Sequence, residues 1–233
     1  MTIDSPPLNG MKNASKSASM AQSASETPID GGTVIVALDL LAHWWSQPVA
    51  GEVSTWLDAV EIETDVRRRI SGDTESGTPR FSIELEEALV LLDEHERLFI
   101  GPGHVPCPPY ESFWREDVPV DIRRSLMGPC TADLRRLYGE LEIEVMPTTG
   151  ELPDHIAVEL EALAYALSFE ETSAIAKALF FDHVRRWLPR LCRAVVHEAE
   201  HPFYRDLGAL TLDWLGYIQR YFETAVEVQS EIP

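Results

Sequence analysis

Lysine is nearly missing from this chain. Lys12, Lys16 and Lys177 are the only three, and arginine supplies the rest of 19 basic side chains against 39 acidic ones. The formal net charge of −20 excludes a nucleic-acid backbone or an anionic membrane surface as the natural partner. It fits a cationic partner or a salt-rich cytoplasm. Cysteine is scarce too: Cys107, Cys130 and Cys192 are an odd, widely spaced set with no CxxC pair. That excludes a disulfide framework and points to a reducing compartment. No basic segment leads into an apolar core at the N-terminus, so no secretory signal is expected. Apolar runs fall short of the roughly 20 residues that span a bilayer. No sustained alternation bounded by hairpin turns marks a strand. Phosphate-cradling glycine loops and Ser or Cys nucleophile elbows are absent as well. What remains is a soluble cytoplasmic chain of 233 residues, 45% hydrophobic, with ample material for a core.

The apolar periodicity is helical almost throughout. Residues 1–32 are rich in Ser, Ala, Thr, Pro and Gly and read as a disordered tail. Thr33 is a candidate N-cap for a helix carrying Leu38, Leu41 and Trp45, which Pro48 and Gly51 end. Further helices are expected over 52–70 and 82–99, and a short one opened by Pro119 over 118–126. Another is expected over 132–141, capped by Thr131, and then over 154–170 and 172–187. Pro189 kinks that helix or starts a new one to about Glu200, and the last helix covers 203–228. The sum is an all-α bundle of about eight or nine helices, with residues 33–233 as its ordered part. Residues 142–152 are the candidate hinge between an N-terminal and a C-terminal helical portion.

The stretch Leu98–Arg115, LFIGPGHVPCPPYESFWR, cannot be a helix. Pro102, Pro106, Pro108 and Pro109 lack an amide donor, and each biases its predecessor to extended geometry. Phe99, Tyr110, Phe113 and Trp114 are many aromatics for a solvent-washed connection. Two readings stand: a corner whose aromatics tuck into the core, or a stiff rim that holds an extended peptide at low entropic cost.

Three other groupings carry possible chemistry. His197-Glu198-Ala199-Glu200-His201 is a literal HExxH, which on a helix would offer two imidazoles to zinc and a base to its water. Pro202 follows it directly and no third ligand is spaced suitably. Glu151-Leu152-Pro153-Asp154-His155 places proline at a helix's first turn, with Asp154 favoured there by the helix dipole. His183 and Trp187 lie one helical turn apart and read as packing.

Leu98-Phe99-Ile100-Gly101-Pro102, Pro108-Pro109-Tyr110-Glu111-Ser112, Glu151 to Ile156 with Glu159-Leu160, and the series His183, Trp187, Pro189, Phe203-Tyr204 and Leu207 occur in that order. Together they resemble the TorD/DmsD family of redox-enzyme maturation chaperones, over about Val34 to Val228. The resemblance implies an all-helical fold, no catalysis and no cofactor. It implies a cytoplasmic protein without stable membrane insertion; the candidate hinge between helical halves leaves monomer and domain-swapped dimer both open. Its partner would be the twin-arginine signal peptide on the apo catalytic subunit of a molybdopterin oxidoreductase, held until the cofactor is inserted. The family's aromatic-x-x-Leu-Phe motif falls on His95, Leu98 and Phe99, with His95 in place of the usual aromatic. Its proline–aromatic pair falls on Pro109 and Tyr110, and its Glu-Pro-Asp-His motif on Glu151, Pro153, Asp154 and His155. These nine are the expected peptide-binding residues. Guanine nucleotide, reported for some family members, is not expected without a P-loop. Two alternatives accompany this reading: a zinc hydrolase built on His197, Glu198 and His201, and a nitrate-reductase-type assembly factor that binds an enzyme's N-terminus even without twin arginines.

Overall fold

The computed structural model describes residues 30–48, 53–71, 88–119, 128–145 and 152–230. Its described residues are helical, with one isolated antiparallel bridge and no named strand. Helix α1, Gly31–Trp45, is capped by Asp30, whose carboxylate accepts the Thr33 amide at 2.9 Å and the Thr33 hydroxyl at 2.7 Å. The cap therefore lies three residues before the Thr33 expected from sequence; Thr33 completes it as a donor. Helices α2 (Val53–Ser71) and α3 (Ala88–His95) follow, and α3 runs on as a π turn through Glu96–Ile100. The residues expected to open that helix, 82–87, lie outside the described residues, as do most of the 118–126 helix, most of the proposed hinge and residues 1–29 of the tail.

The proline loop ends in α4, the single turn Glu111–Trp114. Helix α5, Pro129–Glu140, starts with proline at its first turn, so the expected cap Thr131 sits inside the helix. Helix α6 is Ile156–Leu167. It begins two residues later than the periodicity suggested, because Pro153 and Asp154 form the turn before it. Helix α7, Ser173–Ala178, passes through a second π turn, Leu179–Val184, into α8, Arg185–Glu198. Pro189 neither ends nor restarts the helix: the amide it lacks would have bonded the carbonyl of Arg185, a residue on the exposed side, where water can substitute. Helix α9 is Pro202–Ser230.

Helix α1 lies along α6, and α8 folds back on α9. Between them Trp44, Trp45, Trp187, Trp214, Phe180, Phe203 and Tyr204 are fully enclosed. Trp45 donates its indole N–H to the Thr211 hydroxyl at 3.1 Å, tying α1 to α9. The α8–α9 approach is close at Gly208, where a Cβ would stand 2.9 Å from the Cys192 carbonyl oxygen.

Candidate functional site

Two sequence motifs 42 residues apart meet in one seam. At the turn from the π segment into the proline loop, Gly101 and Gly103 take φ of 96° and 102°, a region costly for any residue with a Cβ. The Cys107 amide then bonds the Leu98 carbonyl at 3.0 Å, which returns the loop to the helix it left. Beyond Pro109 the chain pairs with the entry to α6. The Glu111 amide donates to the Asp154 carbonyl and the Ile156 amide to the Pro109 carbonyl, each at 2.9 Å. These bonds make the bridge between Tyr110 and His155, whose rings meet edge to face at 5.4 Å.

Side chains finish the seam. Asp154 is wholly enclosed, and its Oδ2 accepts the Ser112 amide at 3.2 Å, so it serves the first turn of α4 rather than its own helix. His155 is the cap of α6: its Nδ1 accepts the Ala157 amide at 3.3 Å, which requires that nitrogen to be unprotonated. Burial, with a smaller contribution from His95, holds the His155 pKa down to about 4. Tyr138 donates its hydroxyl to the Pro153 carbonyl at 2.8 Å. Trp114 donates to the Pro108 carbonyl at 2.7 Å and stiffens the loop from within.

The structure thus brings Pro109, Tyr110, Pro153, Asp154 and His155 together, and sets His95, Leu98 and Phe99 in the adjoining core. Leu98 and Phe99 are core rather than rim: Phe99 packs edge-on to Trp45 at 5.8 Å and to Tyr204 at 5.6 Å. His95 occupies an aromatic's place in that cluster, 5.0 Å from the Phe99 ring. Its pKa is pushed down to about 4 by burial, and its Nδ1 has no hydrogen-bond partner among the described residues. Ile100 is the exposed apolar residue of the segment, and Tyr110 is half-buried. Glu151 lies outside the described residues. The proline loop has core anchors at Leu98 and Phe99 and a half-buried ring at Tyr110.

Behind the seam stands a network that sequence spacing did not reveal. His183, buried on the second π turn, bonds Glu111 Oε2 at 2.8 Å through Nδ1 and Asp133 Oδ2 at 3.2 Å through Nε2. Arg115 pairs with Glu111 on the other side and donates to the Asp182 carbonyl at 2.9 Å. Trp187 donates to Glu159 Oε2 at 3.0 Å. Burial, and then the nearby Glu111 and Asp154 carboxylates, push the Glu159 carboxyl well above the usual range, favouring the neutral acid. His183 and Trp187 are thus cross-links from the last helices to α4, α5 and α6, more than packing. The signal available in sequence was a histidine followed one turn later by a buried tryptophan, whose N–H needs an acceptor.

The HExxH residues are dispersed. Helix α8 ends at Glu198, and Ala199 is extended at ψ 129°, so the two histidines do not share a helical face. His197 is 84% exposed beside Glu198, and His201 accepts the Phe203 amide at 3.2 Å. Glu94 accepts the amides of Glu200 and His201 at 2.6 and 3.1 Å while gripping Arg97, which makes this turn an architectural joint. Among the described residues no group of three His, Cys, Asp or Glu side chains could hold a metal.

Comparison with known proteins agrees. The sequence profile of the nitrate reductase delta subunit family matches residues 73–193, more than half of the chain and spanning the whole seam. The chain belongs to this family. Within it, the chain is 30% identical to the Tat proofreading chaperone DmsD of Salmonella typhi over 179 residues, 76% of the chain and 83% of that protein. It is 29% identical to the chaperone protein YcdY of Escherichia coli K12 over 52% of the chain and 58% of that protein. A crystal structure from Archaeoglobus fulgidus, assigned to redox enzyme maturation, superposes with a TM-score of 0.50 at 21% identity, over 79% of the chain and 93% of its own. That likeness shows the all-α fold. The chain is a chaperone of the TorD/DmsD type, not an enzyme. The curated relatives carry chaperone names, which does not favour the zinc-hydrolase alternative.

Proposed function

We propose that the chain is a cytoplasmic chaperone that grips the twin-arginine signal peptide of an apo molybdopterin oxidoreductase subunit at the Tyr110–His155 seam. The observation that carries this is the joining of the proline loop to the α6 entry by backbone bonds. It sets a half-buried aromatic ring on a rigid base, which holds a flexible peptide at low ordering cost. Tyr110 forms the accessible edge of the proposed site, with the buried His155 ring set against it. His95, Leu98, Phe99, Pro109, Pro153 and Asp154 support it from beneath, and Glu151 belongs to the same motif. The charge of −20 speeds the encounter with a segment bearing two arginines and makes it salt-dependent.

Titration calorimetry tests the reading. The probes are signal peptides of twin-arginine molybdoenzymes from the source genome, each paired with a Lys-Lys version, at low and at high salt. Binding that persists at high salt and weakens with Lys-Lys is the expected result, because a guanidinium engages a carboxylate in two parallel bonds that an ammonium cannot make. Equal affinity for both versions, or complete loss at high salt, overturns it.

A further inference from the structure

On the other side of Tyr138 from the Pro153 carbonyl it bonds, a cleft of about 500 Å³ opens between α1, α6 and the segment after α5. Its walls are apolar, with Ile35 from α1, Val158 from α6 and Val145 from the segment after α5. Tyr165 stands at its side, 43% exposed, with Phe169 edge-on at 5.3 Å and itself half exposed. Three carboxylates, Asp39, Glu144 and Glu161, complete the lining, and no lysine, arginine or histidine does. An exposed aromatic pair at the edge of an apolar cleft is a docking feature. The acidic residues state the charge of what docks. Partial burial and then the Asp39 charge raise the Glu161 carboxyl. An arriving cation relieves that repulsion.

We propose that the α1–α6 cleft is a second polypeptide site, taking a client segment in which arginine stands beside large apolar side chains. The apolar side chains enter between Ile35 and Val158, and the guanidinium meets Asp39 and Glu161, with the Tyr165 ring as a flat neighbour. The identity of the occupant as client polypeptide rests on the function proposed above; the location and the chemistry rest on the cleft alone. Two separate sites on one client raise the effective concentration at the second once the first is engaged.

Site-specific photo-crosslinking separates the two. A benzoylphenylalanine replaces Tyr165 in one version of the full chain and Tyr110 in another. The probes are a short synthetic peptide with two adjacent arginines followed by Phe and Leu residues, and the same peptide with Gln for Arg. The expected result is a crosslink at position 165 with the arginine peptide. It should fall about tenfold with the Gln peptide and in the Asp39→Asn, Glu161→Gln double variant, whose near-isosteric surface changes leave the fold intact. Absence of a crosslink at 165, or one that survives neutralisation of both carboxylates, overturns the cleft proposal. A crosslink at 110 without one at 165 leaves the seam reading standing and rejects the cleft. The reverse pattern supports the cleft and rejects the seam.

Discussion

Acidifying the solution from pH 7 to pH 5 should destabilise this protein through two buried histidines, and the amount can be worked out. His155 caps α6 with an unprotonated Nδ1 and is 7% exposed; His95 sits among Phe99 and Tyr204 and is 5% exposed. Burial holds both pKa values down to about 4, against 6.5 for the free side chain. The sign follows from proton counting. Above 6.5 neither the native nor the unfolded chain is protonated at these sites, and the full contribution is present. As pH falls through 6.5 the unfolded chain binds protons that the native state refuses, so stability is lost down to about pH 4. At pH 5, about 1.5 units below the unfolded value, each histidine costs roughly 2 kcal/mol at about 1.4 kcal/mol per unit. Urea unfolding followed by tryptophan fluorescence at the two pH values measures the loss. Carboxyls held above their ordinary range, Glu159 above all, act in the same window with the opposite sign, so the informative quantity is the difference between variants. His155→Asn keeps a cap acceptor and removes the titration. It should cost about 1–2 kcal/mol at pH 7 through lost packing against Tyr110. Its further loss on going to pH 5 should be smaller than the wild type's by about 2 kcal/mol. An identical loss in both proteins would refute the assignment of the pH dependence to this ring.

His95→Phe should raise the urea midpoint, more at pH 5 than at pH 7, because it sets an apolar ring where a buried nitrogen has no partner among the described residues. Glu159→Gln keeps an acceptor for the Trp187 N–H and removes a carboxyl that favours its proton in the native state. The wild type loses stability from this group as pH rises above the unfolded carboxylate value, so the variant should match or exceed it at pH 8. Gly208→Ala should destabilise by roughly 1–3 kcal/mol, since the new methyl meets the Cys192 carbonyl at 2.9 Å and the branched Val196 side chain at 3.0 Å. His197→Ala should leave the unfolding midpoint within about 0.5 kcal/mol of wild type, as an exposed side chain at a helix end does, with no change in bound zinc by elemental assay.

The helical class and much of the helix order were legible because apolar spacing and proline placement are local signals. Pro102 through Pro109 marked the end of α3, and Pro153 marked the approach to α6. What spacing could not reveal was set by tertiary contact. Asp154 is a natural cap for its own helix on local grounds, yet its carboxylate reaches the amide of Ser112, and His155 takes over the cap. Pro189 is a helix breaker in isolation but is carried inside α8. The two π turns have no sequence signature, and one of them sets His183 against Glu111, 72 residues away. HExxH is a motif of spacing, and it fails as a site because Glu94 claims the amides of the turn that splits it. The family motif puts Leu98 and Phe99 among the expected peptide-binding residues; the Cys107–Leu98 bond folds the proline loop back, and both side chains lie in the core.

The most direct test of the seam is the affinity of Tyr110→Ala for a twin-arginine signal peptide at high salt, where bulk charge is screened. Tyr110 is half-buried, so its removal should move the unfolding midpoint little while weakening binding by at least about tenfold, as truncation of an aromatic anchor does. Unchanged peptide affinity in a folded Tyr110→Ala protein would contradict the claim that this seam grips the client.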